Sequence, residues 1–270
     1  YLPRPTPHEV RAKYSYLTTV DPDVGGESNL GPSGRKADQR RAARVYATCM
    51  SHLRPSPTEQ PLPALDILDY GGGNGKLLRP FLAQGHRCYL IDYNPHPIPG
   101  VMRIGEDFAT CVDDRRFDLI ICSHVLEHVA DPGLLIDFLR QRLADSGLLY
   151  VEVPQEIWAG LRLEIDPVTH VNFFTLPSLG RLLRDRGLRI LEQKQQIANY
   201  GDAATEVIWA IATHDGTRNA AATAGVTPGE PCAQGEVVPE GVEYVKRLLY
   251  PSRRATLDRL RRLSDKGIAD

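Results

Sequence analysis

Short apolar runs alternate with helix-like segments through the middle of the chain. The apolar runs have the length of buried strands, and they lie at residues 64–70, 87–91, 101–104, 117–122 and 147–153. Helical patterns lie between them at 76–84, where we expect Pro80 to kink the helix, and at 131–143, which opens with the helix-starting pair Asp131-Pro132. This alternation predicts a parallel sheet with helices on both faces.

The pattern changes towards the end of this region. Residues 176–187 have a helical pattern that ends in glycine, and two extended runs follow at 188–196 and 206–213 with no helix between them. Consecutive strands without a crossover helix run antiparallel. The sequence therefore predicts an α/β fold with a doubly wound, seven-stranded, mostly parallel sheet whose last strand is antiparallel.

The flanking segments differ in composition from this domain. Residues 1–36 are rich in Pro, Gly, Ser and Asp, which predicts an irregular N-terminal arm, and a helix rich in Arg and Ala is expected from Ala37 to about Leu53. Residues 214–240 indicate a flexible segment, and 241–270 predict a helical C-terminal extension. The main domain is expected to span 37–213.

The charge balance and hydropathy of the chain limit the kinds of partner that we expect it to bind. Lys and Arg total 32 against 34 Asp and Glu, so the net charge of -2 gives no overall field that attracts nucleic acid or an acidic membrane. No apolar run approaches the roughly 18 residues of a membrane helix, and the first residues lack the apolar stretch of a secretory signal. The cysteines are scattered without a C-x-x-C pair, and Cys88 and Cys122 lie inside apolar strand patterns. We expect a cytoplasmic protein without nucleic-acid or membrane partners.

A glycine-rich loop follows the first predicted strand. The strand carries Asp69 near its end, and glycines follow at Gly71, Gly73 and Gly75. Glycines let the backbone turn sharply and approach a ligand closely, and a helix N-terminus comes next, so a nucleotide-like ligand is expected here. The dinucleotide fingerprint G-x-G-x-x-G does not fit, because its third glycine falls on Lys76.

This loop resembles the first motif of class I S-adenosylmethionine-dependent methyltransferases, and the resemblance extends over about 64–213. It implies that Asp69 and the glycines hold the methionine end of S-adenosylmethionine. It also implies that an acid at the end of the second strand holds the ribose. That acid is Asp92, 21 residues after Gly71.

The resemblance further implies an acid after the third strand that contacts the adenine. We assign Asp107, with Phe108 beside it, and Glu106 is the alternative. Tyr93 and Ser123 are assigned to the same cofactor site.

A histidine cluster follows the fourth strand. If the chain turns helical there, His124, Glu127 and His128 share one face, and the loop carrying His170 is placed to return to the same edge of the sheet. The three histidines are candidates to take a proton from the methyl acceptor. Alternatively, two imidazoles and a carboxylate bind a divalent ion.

The histidine motif resembles the E-x-x-E-H metal site of small-RNA 2'-O-methyltransferases and, in part, that of ubiquinone-pathway O-methyltransferases. His124 stands where that motif has its first carboxylate, so a metal is not favoured. We expect local hydrogen bonds to satisfy Glu127 and His128.

The function we infer is methyl transfer from S-adenosylmethionine to a small-molecule acceptor, most simply an oxygen of a sugar or natural-product-like compound. An RNA methyltransferase and a non-catalytic, S-adenosylmethionine-binding regulatory protein remain as alternatives. The glycine register disfavours a nicotinamide-dependent oxidoreductase. The oligomeric state is open.

Overall fold

A computed structural model of the chain describes residues 32–53, 63–111, 113–155, 170–200 and 203–216. Most of the predicted N-terminal arm, the C-terminal extension 241–270 and nearly all of the predicted flexible segment 214–240 lie outside these ranges. The described residues include the whole predicted sheet and the histidine cluster.

Seven strands form one sheet, in the order β3-β2-β1-β4-β5-β7-β6. Their bounds are Asp66–Tyr70 for β1, Arg87–Ile91 for β2, Val101–Gly105 for β3, Phe117–Ser123 for β4, Leu143–Pro154 for β5, Leu188–Tyr200 for β6 and Ala203–His214 for β7. Strands β1 to β5 pair in parallel, whereas β7 runs antiparallel to both β5 and β6. The predicted fold class is confirmed.

Helices cover the sheet on both sides. Helix α1 spans Pro32–Leu53, α2 spans Arg79–Ala83 after a 3-10 turn at Lys76–Leu78, α3 spans Pro132–Gln141 and α4 spans Leu176–Asp185. Among the helices that the structure describes, none has the length and apolar character that a membrane span requires.

Two predictions about helices are wrong. Helix α1 begins at Pro32 rather than at Ala37. Pro80 does not kink a helix, because the segment predicted as one helix is a 3-10 turn followed by α2, and Pro80 lies in the first turn of α2. A proline there gives up only an N–H that has no partner within the helix.

The prediction for α3 is confirmed at its start. Asp131 is the N-cap, and its side chain accepts hydrogen bonds from the backbone N–H groups of Gly133 and Leu134 at 2.8 and 3.1 Å. Pro132 follows at the first helical position. This cap fixes where the chain turns back after β4.

The core has two layers because side chains of the parallel strands alternate between the faces. Ile120 and Cys122 of β4 join the cluster under α3 and α4, whereas Leu119 and Ile121 join the cluster under α1 and α2. Cys88 and Cys122 are buried, as predicted.

The carboxyl ends of the parallel strands define one edge of the sheet. Strands β1 and β4 are neighbours at its centre, and the chain winds in opposite directions on either side of them. In open α/β sheets, ligands bind in the crevice outside such a switch point. The loops after β1, β2 and β4 meet there: Gly73 contacts Asp92, and Gly71 packs against Val125.

Candidate functional site

The glycine loop after β1 adopts a backbone that favours glycine. Gly71, Gly73 and Gly75 have φ angles of +70°, +63° and +82°. A Cβ atom on Gly71 would lie 2.4 Å from Cγ2 of Val125, whereas one on Gly73 would meet no atom within 4 Å. Gly71 is therefore packed against the loop after β4, and the backbone at Gly73 borders open space.

Asp69, near the end of β1, is a buried acidic residue behind this loop. Its side chain is buried, and neither carboxylate oxygen has a hydrogen-bond partner in the described part of the chain. Burial raises the pKa of Asp69 from 3.8 to about 7, with the positive charge of Arg41 opposing the rise and the negative charge of Asp92 adding to it. A buried carboxylate without partners is costly, so a cationic ligand at this point would relieve it. The residue fits an ammonium group.

Asp92 closes the glycine loop from the end of β2. Its Oδ2 accepts a hydrogen bond from the N–H of Gly73 at 2.8 Å, and its Oδ1 accepts one from the N–H of Asn94 at 2.7 Å. Burial raises the pKa of Asp92, and these two hydrogen bonds oppose that rise. The structure thus places Asp92 against the loop, as the sequence predicts.

Tyr93, after β2, and Asp107, after β3, lie together. Oδ1 of Asp107 accepts hydrogen bonds from the N–H groups of Ala109 and Thr110 at 3.0 and 2.9 Å, and Oδ2 accepts one from the Tyr93 hydroxyl at 3.1 Å. The ring of Phe108 is 39% exposed beside them. An exposed aromatic face next to a fixed carboxylate is suited to a purine ring.

The alternative acid, Glu106, has a different environment. It is exposed, and its carboxylate lies 3.4 Å from the guanidinium of Arg103. The Glu106 carboxylate is thus paired with Arg103 at the surface, whereas Asp107 is buried.

Ser123 ends β4 inside a polar network. Its hydroxyl donates to Oε1 of Glu152 at 2.9 Å and accepts a hydrogen bond from Arg41 at 2.6 Å. The Ser123 hydroxyl thus already donates and accepts hydrogen bonds within the protein.

His124 does not sit in a helical turn, so that prediction is wrong for its backbone. Its φ angle is +59°, the one positive value among the described residues other than glycine. Such a conformation costs an L-residue roughly 1 kcal/mol or more and persists where the surroundings enforce it. Here the N–H of His124 donates to the backbone oxygen of Glu152 at 2.8 Å.

The predicted histidine cluster does converge, around Glu127. Oε1 of this buried glutamate lies 3.3 Å from Nδ1 of His124 and 3.7 Å from Nε2 of His128. The rings of His128 and His170 meet edge to face with their centroids 4.7 Å apart. The loop carrying His170 is held in place because the N–H of Val171 donates to the backbone oxygen of Glu127 at 2.7 Å.

The expectation that local hydrogen bonds satisfy Glu127 is wrong. In the described part of the chain, neither of its carboxylate oxygens makes a hydrogen bond of good geometry. Ligand atoms of Glu127, His128 and His170 all lie within 4.8 Å of one another, a spacing that can hold a metal ion. The roles of the three histidines stay predictions.

Sequence reasoning missed a buried ion cluster beside this site. Glu152 of β5 is fully buried, and its carboxylate contacts Arg41 at 3.3 Å and Arg44 at 2.5 Å, both on α1. The hydroxyl of Tyr150 also donates to it, at 2.8 Å. Burial acts to raise the pKa of Glu152, but Arg41, Arg44 and His124 outweigh it and hold the pKa at about 2. The available signal was an acid within an apolar strand run, since a buried charge requires a partner.

Comparison with known proteins gives relatives that are named O-methyltransferases. A ubiquinone biosynthesis O-methyltransferase of Nitrobacter winogradskyi is 27% identical over 180 residues, which cover 58% of this chain and 69% of the relative. A protein of the same name from Rhodopseudomonas palustris is 26% identical over 217 residues, covering 67% of this chain and 86% of the relative.

A solved structure shows the same fold. The 1,6-didemethyltoxoflavin-N1-methyltransferase of Burkholderia thailandensis, crystallised with 1,6-didemethyltoxoflavin and S-adenosylhomocysteine, superposes with a TM-score of 0.53 at 19% identity. The match covers 79% of this chain and 93% of that one.

The family assignment comes from a family profile described as a methyltransferase domain. It matches residues 35–193, more than half of the chain. The match includes the glycine loop, the acids after β2 and β3 and the histidine cluster. This match confirms the resemblance of the glycine loop to class I methyltransferases. The chain belongs to the methyltransferase domain family and has the class I methyltransferase fold.

Proposed function

We propose that this protein transfers a methyl group from S-adenosylmethionine to a hydroxyl of a small-molecule acceptor. The observation that carries the proposal is Asp69, a buried carboxylate without hydrogen-bond partners among the described residues, directly behind a glycine loop with open space at Gly73. The names of the relatives, O-methyltransferases acting in ubiquinone biosynthesis, support transfer to oxygen.

The residues present fit this cofactor. Asp69 would pair with its ammonium group, and the positive charge of Arg41, which opposes the rise in the Asp69 pKa, suits its carboxylate. Asp92 would bind the ribose, while Asp107 and Phe108 would bind the adenine. When bound, S-adenosylmethionine supplies a methyl group on an electrophilic sulfonium.

The protein's task is then to position the acceptor, exclude water and take a proton. Transfer forms a carbon–oxygen bond to the acceptor and breaks the carbon–sulfur bond of the donor, and the hydroxyl proton leaves to a base. We assign the base to the histidines around Glu127. His170 and His128 pack edge to face, and Oε1 of Glu127 lies 3.7 Å from Nε2 of His128.

The same cluster also fits a divalent ion, which Glu127, His128 and His170 would hold. One carboxylate and two imidazoles suit zinc or another transition metal, and the carboxylate oxygens of Glu127 lack hydrogen bonds among the described residues. Such an ion would lower the pKa of the acceptor hydroxyl. We favour direct proton transfer because position 124 offers an imidazole rather than the carboxylate of the related metal motif. Full activity after chelation and dialysis is the expected result; loss that added zinc or manganese restores would assign the metal.

Binding and turnover are tested in sequence. Calorimetry should detect S-adenosylhomocysteine binding, and Asp69→Asn should weaken it. Incubation with methyl-labelled S-adenosylmethionine and a panel of sugars, phenolic compounds and RNA then identifies the acceptor class. Absence of binding would reject the proposal, labelled RNA would support the nucleic-acid alternative, and binding without transfer to any acceptor would support a regulatory protein.

A further inference from the structure

The ion cluster at Glu152 ends on the histidine site. Glu152 contacts His124 in two ways: its backbone oxygen accepts the N–H of His124 at 2.8 Å, and its Oε1 lies 3.7 Å from Nε2 of the ring. The other ring nitrogen of His124 faces Glu127 at 3.3 Å. The imidazole is thus held between two buried carboxylates.

Helix α1 determines where the Glu152 carboxylate points. Arg41 contacts Oε1 and Arg44 contacts Oε2, while Tyr150 donates to Oε2 and Ser123 to Oε1. These contacts fix both oxygens, so Glu152 has little freedom to turn away from His124. Glu152 also holds the left-handed backbone of His124, because its backbone oxygen accepts the hydrogen bond from the His124 N–H.

Docking of α1 does not by itself explain a buried charge here. The helix already packs through Val45 and Cys49. It is tied elsewhere by an ion pair from Asp38 to Lys76 at 2.7 Å and by a contact of 3.3 Å between His52 Nε2 and Glu192 Oε2. Removing charges from water is costly, and a buried ion pair often stabilises a fold no better than apolar residues do. A role at the neighbouring site accounts for the cluster better.

We infer that Glu152 is a positioning residue for methyl transfer: anchored by Arg41 and Arg44 of α1, it fixes the backbone and ring of His124 within the histidine cluster. The inference deepens the proposed function and rests on it. It links α1, which lies before the glycine loop in sequence, to the acceptor side of the site.

The main test is Glu152→Gln, which keeps the shape of the side chain and removes its charge. We expect kcat to fall by about tenfold or more, because misplacing a group near the chemistry is costly even when binding survives. Affinity for S-adenosylhomocysteine should change by about threefold or less. The NMR signals of the His124 ring, assigned through their loss in His124→Gln, should move.

Two further variants keep the test decisive. Tyr150→Phe removes the hydrogen bond that the hydroxyl donates to Glu152 and the one that it accepts from Arg44 at 3.1 Å, while Arg44 keeps its ion pair with Glu152. It should move the same ring signals and lower kcat by about twofold to fivefold. Arg186→Gln is the control, since it breaks the partly buried ion pair of Arg186 with Asp137, 2.7 Å long and formed between α3 and the end of α4. It should lower the Tm without changing the ring signals or kcat.

The inference would be overturned by unchanged His124 ring signals in Tyr150→Phe. It would also be overturned by a kcat loss in Glu152→Gln that matches the loss of folded protein. If Glu152→Gln does not fold, Tyr150→Phe decides. If the wild-type protein neither binds the cofactor nor transfers methyl groups, the proposed function fails instead, and the ring signals still test whether Glu152 positions His124.

Discussion

The carboxylate of Asp92 accepts a hydrogen bond from the backbone N–H of Gly73, with 2.8 Å between Oδ2 and N. This bond joins the end of β2 to the glycine loop after β1. Asp92→Ala should therefore weaken binding of S-adenosylhomocysteine by about tenfold or more, because the loop loses a charge-assisted hydrogen bond and the ribose loses its proposed partner. Isothermal calorimetry measures the change.

A matched control lies at the opposite end of β1. Oδ2 of Asp118 accepts a hydrogen bond from the backbone N–H of Asp66, also at 2.8 Å. Asp118→Ala should reduce stability and leave affinity unchanged. Equal losses of affinity in the two variants would show that Asp92 acts only through stability.

Gly71 is expected to tolerate no side chain. It has a positive φ, and a Cβ would lie 2.4 Å from Val125, so Gly71→Ala combines backbone strain with a clash. Gly187 also has a positive φ, of +74°, but a Cβ there would meet its nearest neighbour only at 4.0 Å. We expect Gly187→Ala to cost about 1 kcal/mol and Gly71→Ala to cost at least about 2 kcal/mol more. Urea unfolding monitored by circular dichroism compares them, and similar losses would contradict the packing argument.

Order along the chain was enough to predict that Asp69 and Asp92 lie beside the glycine loop. Asp69 and Asp92 each lie at the end of an apolar run, and parallel strands bring their carboxyl ends to one edge. The convergence of His124, Glu127 and His128 followed from short spacing, although the backbone of His124 did not. A left-handed conformation is disfavoured for histidine, so local propensity gives no reason to expect it.

Contacts between distant parts of the chain could not be read from local patterns. Arg41 and Glu152 are separated by 111 positions, and neither belongs to a recognisable motif. In the sequence alone, Arg41 and Arg44 of α1 cannot be distinguished from ordinary solvated charges, because only the packing of the helix on the sheet brings them to Glu152. Position in the fold, rather than residue type, makes them part of the site.

Asp69 gives a pH dependence with a definite sign. Its pKa rises from 3.8 in the unfolded chain to about 7 in the fold, so the folded state binds more protons between these values. Its contribution to the stability of the ligand-free protein therefore decreases as pH rises through that window. Asp69→Asn removes this titration and should raise the Tm at about pH 8 by roughly 5 °C or more, with little difference from wild type near about pH 4.

The same substitution should weaken S-adenosylhomocysteine binding by about tenfold or more at pH near 8, because the ammonium group loses its charged partner. Thermal melts across the pH range, with calorimetry at the upper end, test both effects together. A variant that is less stable than wild type at the upper pH would show that the buried carboxylate is compensated by groups other than a ligand.

The last prediction concerns the base. Val171 and Asn172 help to hold His170 at the cluster, because their backbone N–H groups donate to the carbonyl oxygen of Glu127 at 2.7 and 3.1 Å. His170→Gln keeps a polar side chain of similar reach but cannot accept a proton near neutral pH, so kcat should fall by about a hundredfold while cofactor affinity is retained. His214→Gln is the control, because His214 lies at the amino end of the parallel strands, where Nε2 is 3.5 Å from the backbone oxygen of Leu143. Steady-state kinetics with the identified acceptor should separate the two variants. If His170→Gln retains wild-type kcat, the proton is taken by another member of the cluster, and the corresponding His128→Gln variant becomes the decisive measurement.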